Sequence, residues 1–381
     1  MPDMKTIYYE PAGRIHSTQW ELINHPPTGY KFVTKPPSAI VRNDFIFDKL
    51  RLQLLDQVIP LNYAKAKLDS RLEIPEADII FAYNHLVFRD IPWIGLVEWA
   101  HILVGRDTKF LNRYRDSVSR TLRSANCKGI ITWSDVARRS VLLNYDVPPE
   151  KVTIIHHAVQ PVKIDRDYNR DKIHLLFVGS ANTPEDWDAK GARDVIAAFE
   201  ALRHRYDDLY LTIRARIPKG WYHPVKGLQV IDKVLPKRDL DALFRKADIF
   251  VLPSHLCQEM VLVEAMSYGL PVITSWIGST CGEYVDHGRT GMVLSVRALP
   301  YFTGNDILAS ETIERPRLIR SAQKRSAVVE ELSNTIERLV KDWQLRKRLG
   351  EAAKAEVDSG MFSIGNRDRL LVKVLGGENN E

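Results

Sequence analysis

Apolar residues fall along this chain in short blocks set between charged or turn-forming stretches, and the blocks alternate between two periods. Lys5 to Tyr9, Tyr30 to Thr34, Ala77 to Ala82, Ile130 to Ser134, Ile173 to Val178, Leu209 to Ile213, Gln229 to Val234 and Ile249 to Leu252 read as strands or strand ends. Between them, Phe45 to Leu55, Lys109 to Lys128, a stretch from Gly191 with Val195, Phe199 and Leu202 on one face, and a stretch from Leu240 to Ala247 read as helices. Alternation of strand and helix predicts parallel sheets of the α/β class. Both halves show it, and 381 residues suffice for two cores.

The most informative stretch runs from Ala247 to Leu294. The apolar run Ile249 to Leu252 stops at Pro253-Ser254, the loop His255 to Glu259 follows, and Met260 to Tyr268 reads as a short helix closed by Gly269 with Pro271 beyond. Val272 to Thr274 is the next strand, so this is one βαβ unit whose ligand belongs at the strand's carboxyl end. Glu264 stands among Val261, Leu262, Val263, Ala265 and Met266. A carboxylate in that company needs a protein donor or a ligand's hydroxyls, since unpaired burial costs several kcal/mol, roughly.

A second candidate precedes it. Strand Ile173 to Val178 leads to Gly179, the polar loop SANTPEDWDAK, and the helix from Gly191. Backbone N–H groups at a helix N-terminus together with the ammonium of Lys190 would converge on a diphosphate. The spacing is too long for a Walker A loop, and an exposed lysine is the ordinary explanation for Lys190 taken alone. Asp186-Trp187-Asp188 in that loop is no DxD metal site, because Thr183-Pro184-Glu185 rather than a buried strand precedes it.

ADIFVLPS, VLVEAMSYGLPVITS and HGRTGMVL together resemble the C-terminal signature of family 4 retaining glycosyltransferases, two-domain enzymes of the GT-B fold. PPEKVTIIHHAVQP resembles the sequence closing that family's first domain, with His156-His157-Ala158 where Asn-Gly is usual. The resemblance implies two Rossmann-like domains facing each other across a cleft, with a C-terminal helix crossing back to the N-terminal domain. The expected boundaries are 1–168 for an acceptor domain, 169–355 for a donor domain and 356–381 for the returning helix, with the polar run 165–172 as linker.

The implied activity is transfer of a sugar from a UDP-, GDP- or ADP-type nucleotide sugar to an acceptor hydroxyl on a glycan, lipid or small molecule, with retention and without metal or other cofactor. Glu264 matches the second glutamate of the family's E-x7-E motif, which holds the ribose diol. The first falls on Leu256, leaving Glu259 as the nearest carboxylate for the sugar hydroxyls. Lys190 matches the diphosphate lysine, but the family's arginine falls on Pro184, so Arg214 or Arg216 is the expected replacement. Gly13 matches the family's glycine loop at the donor's approach, although a turn glycine is its simpler explanation, and Gly179 joins Lys190 in the anion site read above. Val234 begins the base-binding loop, and Met260 and Val261 supply amides. The family's histidine facing the sugar matches His101, with Glu98 as the alternative; a hydrogen-bonded residue at a strand end explains either equally well.

A chain that is 45% hydrophobic and 27% charged is an ordinary soluble composition, and no run approaches a membrane span's length. The first residues lack a signal peptide's apolar core and three cysteines make no framework, so the expected site is the cytosol or the inner face of its membrane. A net charge of +6 admits an anionic partner without choosing one. The basic face of the helix expected over 109–128 is ordinarily a solvated face; it also suits peripheral contact with an anionic membrane. Nucleic-acid binding would rest on charge alone, lacks aromatic interleaving on a sheet face, and ranks last, so no nucleic-acid partner is expected. Residues 296–325, with Tyr301, Phe302, Arg315, Arg317, Arg320 and Arg325, exceed the family's usual link and read first as a solvated excursion. The competing functions are a GT-B phosphorylase and a non-catalytic nucleotide-sugar-binding protein.

Overall fold

The computed structural model describes residues 4–11, 17–34, 58–105, 109–179, 190–215, 217, 220, 222–254, 260–275, 283–295, 302–303, 306–308 and 325–376. The helix expected over 45–55 lies outside them. The chain forms two compact units, the first made of 1–157, 302–314 and 365–381 and the second of 158–301 and 315–364.

The first unit is a parallel sheet in the order β2-β1-β3-β4-β5-β6, built from β1 (Lys5–Pro11), β2 (Tyr30–Thr34), β3 (Ile79–Tyr83), β4 (Trp93–Leu96), β5 (Cys127–Thr132) and β6 (Val152–Ile154). Period-two alternation sorts its side chains into two cores. Ile7, Tyr9, Phe81 and Ile131 line one face, while Tyr8, Ile80, Ala82 and Ile130 line the other. Both faces are covered, as parallel sheets require. On the second face lie α2 (Leu61–Asp69), through Tyr63 and Ala66, and α3 (Lys109–Arg123), through Phe110, Leu111, Val118 and Leu122; α1 (Ser17–Asn24) adds Leu22 to the first face.

The helix expected to run to Lys128 ends at Arg123. Ser124 donates its hydroxyl to Thr121 O at 2.8 Å and accepts the Cys127 amide at 3.3 Å, offering the backbone an alternative to the next helical turn. A further helix, α4 (Asp135–Asn144), was not anticipated; its signal is Ser134, whose Oγ caps the helix by accepting the Ala137 amide at 3.1 Å.

The second unit is also parallel, in the order β12-β11-β10-β7-β8-β9: β7 (Ile173–Val178), β8 (Leu209–Arg214), β9 (Leu228–Ile231), β10 (Ile249–Leu252), β11 (Val272–Ser275) and β12 (Gly291–Leu294). Relabelled within the unit, this is the doubly wound order 3-2-1-4-5-6, whose direction reverses between β7 and β10. Its helices are α5 (Ala192–Arg203), α6 (Lys237–Lys246), α7 (Met260–Ser267), α8 (Arg325–Lys341) and α9 (Trp343–Asp358). The break between the last two falls at Asp342, whose carboxylate caps α9 by accepting the Leu345 amide at 2.8 Å. The last helix, α10 (Ile364–Val374), returns to the first unit. Leu371 and Leu375 pack with Ile7 and Phe81, and a side chain on Gly129 would strike Val374 at 2.6 Å. Of residues 296–325 only β13 (Phe302–Thr303), β14 (Asp306–Leu308) and Arg325 are described.

The polar run 165–172 is docked on the second unit, beyond the division at His157 and Ala158. The Arg166 guanidinium donates to Tyr268 O at 2.8 Å, Phe244 O at 3.0 Å and Ala247 O, gathering the carbonyl ends of α6 and α7, where a cation also meets the negative end of each helix dipole. Tyr168 donates to Gly269 O at 2.9 Å. Replacing Arg166 with methionine should therefore lower unfolding free energy by at least about 2 kcal/mol, measured by urea denaturation, because three carbonyls lose a charged donor.

Candidate functional site

The second unit brings several expected residues to the carboxyl end of its sheet. Gly179 follows β7, and a side chain added there would meet Lys190 Cδ at 3.3 Å, so the lysine's stem lies over the glycine. Gly191 caps α5 at φ +75°, and a Cβ on it would lie 2.5 Å from Pro253 O. Only glycine allows both the left-handed turn and that approach, and the result sets the α5 N-terminus against the end of β10. Arg214, ending β8, donates its guanidinium to Gly179 O at 3.1 Å, while the Gly179 amide donates to Arg214 O at 2.9 Å. Lys190, Gly179 and Arg214 thus converge at the reversal between β7 and β10, where open α/β sheets take ligands.

Glu264 lies one turn into α7, which Met260 and Val261 begin. Burial is the largest cause of a pKa raised to about 7; Lys237 on α6 pulls it down and Asp241 pushes it up. The residue keeps some exposed surface, yet its carboxylate accepts no hydrogen bond from another described side chain. Lys237 is the positive charge that sequence reading missed as Glu264's neighbour, since α6 and α7 are separated by a strand and meet only in the fold. Val234, in the loop after β9, is 71% exposed. Gly13, Arg216, Leu256, Glu259, Pro184 and Asp186 to Asp188 lie outside the described residues.

In the first unit, Glu98 follows β4. Its carboxylate accepts from Tyr83 Oη at 2.6 Å and Asn84 Nδ2 at 2.9 Å, and its amide donates to Asn84 Oδ1 at 2.9 Å. Asn84 takes φ +52°, a conformation asparagine tolerates, to present both ends of its amide. The pKa values of Tyr83 and Tyr9 are raised, first by burial and then by Glu98. His101 is 2% exposed on the 3₁₀ turn Ala100–Leu103, held by Tyr145 Oη donating to Ala100 O at 2.8 Å. Both Glu98 oxygens thus have donors, which suits a carboxylate that orders the ends of β3 and β4.

The His156-His157 pair lies just past β6. His156 Nδ1 sits 2.9 Å from Trp133 O and His157 stacks on the Trp133 ring at 4.1 Å. The apolar face of α3 is buried in the core, leaving Arg113, Arg115, Arg120 and Arg123 exposed. No helix among the described residues is long and apolar enough to cross a membrane.

Residues 152–301 match the family described as glycosyl transferases group 1, from β6 through the second sheet. Among solved structures, an α,α-trehalose-phosphate synthase (UDP-forming) from Burkholderia vietnamiensis superposes with a TM-score of 0.60 at 9% identity, covering 98% of this chain and 100% of that one. Anabaena HepE, in complex with UDP and glucose, gives 0.56 at 14% identity over 98% of this chain and 99% of that one. The chain has the GT-B fold. TarM, known from S. aureus, aligns at 0.54 and 10% identity over 78% of this chain, which spans 55% of TarM's length. No curated protein sequence matches.

Proposed function

We propose that the chain is a retaining glycosyltransferase that takes a sugar from a nucleotide diphosphate sugar and passes it to an acceptor hydroxyl without a metal ion. The observation that carries this reading is the convergence of Lys190, Gly179 and Arg214 at the reversal of the second sheet, inside the segment matching glycosyl transferases group 1. Breaking the bond from the anomeric carbon to the diphosphate leaves negative charge on a phosphate oxygen. An ammonium and the N–H groups beginning α5 and α7 stabilise that charge without reorganising. The Glu264 carboxylate accepts from the ribose diol, and the departing phosphate takes the acceptor's proton as the hydroxyl attacks the same face of the sugar. Trehalose-phosphate synthase is UDP-forming and HepE is a complex with UDP, which supports testing uridine donors first.

On this reading the second unit holds the donor. The first takes a glycan, lipid or small-molecule acceptor, with His101 as the group facing the sugar and Glu98 as the residue that orders its strand end. The protein works in the cytosol. The exposed arginines of α3 give it an electrostatic contact with an anionic membrane surface, one that weakens with salt because the helix's apolar face is committed to the core.

The test is turnover of a panel of nucleotide sugars with hydroxyl acceptors, in chelator, with the product's anomeric configuration read by NMR. The expected product keeps the donor's configuration and appears with a nucleoside diphosphate. Sugar phosphate formed only when inorganic phosphate is added would replace transfer by phosphorolysis, and donor binding without any product would leave a binding protein.

A further inference from the structure

The first unit contains a cluster that the proposed transfer does not use. Glu10, near the end of β1, pairs across the ladder with Ala82 on β3, which packs on the same face as Tyr8. His85 follows β3 and is 1% exposed; Asp69 ends α2. One ligand atom from each of the three lies within 4.8 Å of the other two, and they form the one such group among the described residues.

His85 is the informative member. Its Nε2 lies 3.4 Å from Asp69 Oδ2, and neither ring nitrogen has a hydrogen-bond partner among the described residues. A buried imidazole left in that state forfeits the hydrogen bonds it had in water. Protonation would supply a charge to face the carboxylates, but burial, then Lys65, with Arg89 also contributing, outweighs Asp69 and holds the pKa down to about 4. Neutral imidazole is the form that ligates metals.

The location agrees. In the order β2-β1-β3-β4-β5-β6 the winding reverses between β1 and β3, and the cluster stands at the carboxyl ends of those two strands. That is the ligand position of an open α/β sheet.

We propose that Glu10, Asp69 and His85 bind one zinc ion, with a carboxylate oxygen from each acid and a nitrogen from the imidazole. One nitrogen and two oxygens are a donor set zinc accepts, and three protein ligands leave a position for water. The ion would tie the end of α2 to the ends of β1 and β3. Lys65 now pairs with Asp69; its side chain is 44% exposed and its flexible stem lets the ammonium turn to water as the metal enters. Arg89 donates to the Asp69 backbone carbonyl, so it supports the helix end and leaves the carboxylate to the metal.

The test uses the full chain after dialysis against chelator, titrated with zinc chloride by calorimetry, with metal content measured after desalting. One zinc per chain with a dissociation constant in the micromolar range or tighter is expected, together with a melting temperature that rises with zinc concentration. His85→Gln and Asp69→Asn should each weaken binding by at least about 10-fold, with far-UV circular dichroism confirming that they fold. Lys65→Ala should bind zinc several-fold tighter, since it removes the competing cation. Absence of zinc binding by the wild-type chain would overturn the site. So would zinc binding at wild-type strength in folded Asp69→Asn, which alters the half-buried ligand and is the variant to rely on if His85→Gln does not fold. Neither readout depends on sugar transfer, so the result stands apart from the function proposed above.

Discussion

Lys190→Ala should lower kcat/KM for nucleotide-sugar turnover by about 100- to 1,000-fold, the usual cost of removing one preorganised donor from a developing anion. The lysine's stem crosses Gly179 at the end of β7 and its backbone leads directly into the turn that starts α5, at the carboxyl end of the sheet. Because the charge on the leaving diphosphate grows as the bond breaks, the loss should fall mainly on kcat, with a smaller change in donor affinity. Lys190→Arg should recover only part of the activity, since a planar guanidinium does not replace a compact ammonium over a glycine. Pre-steady-state product release separates chemistry from binding. Wild-type kinetics in Lys190→Ala would remove the lysine from the mechanism.

Glu264→Gln should weaken donor binding by at least about 100-fold at pH 8 and abolish its pH dependence. With its pKa raised by burial from the usual 4.5 to about 7, the carboxyl keeps its proton over a range in which the unfolded chain has lost it. The folded state then binds more protons than the unfolded one between those two values. The stability of the ligand-free protein should therefore fall as pH rises from about 4.5 through about 7, by up to about 3 kcal/mol. Ribose hydroxyls donating to the carboxylate favour its charged form and pull the pKa back down. Donor binding should accordingly release a proton and tighten as pH rises from about 6 to about 8. Calorimetry in two buffers of different ionisation enthalpy measures that proton. Binding with no proton release, and equal affinity in Glu264→Gln, would separate the carboxylate from the donor.

Much of this was open to a reader of the chain. Uninterrupted apolar runs such as Ile249 to Leu252 and Val272 to Thr274 become strands buried on both faces, and Gly269, at φ +68°, ends α7 where a glycine before Pro271 announced it. Gly191, singled out only as the start of a helix, proved to be required twice over, by its backbone angle and by Pro253. Element ends were less legible: Ser124 and Asp342 redirect the backbone through side-chain hydrogen bonds to groups three residues away, a local choice that serine and aspartate also leave unmade inside helices. The run 165–172 has a linker's composition, yet Arg166 and Tyr168 bind carbonyls far along the chain.

Sequence alone determined the class of the fold, because periodicity and turn residues act over a few positions and are written where they act. It also marked Lys190 and Glu264, since a lysine before a helix-opening glycine and an acid in an apolar helix are local anomalies. Tertiary structure decided what no local pattern carries: the order of strands in each sheet, the return of α10 to the first unit, the pairing of Glu98 with Tyr83 and Asn84, and the nearness of Lys237 to Glu264. It likewise brought Glu10, Asp69 and His85 to within a metal ion's reach. Their separations of 59 and 16 residues follow no ligand spacing, and only the reversal of winding between β1 and β3, with α2 laid across it, makes them neighbours.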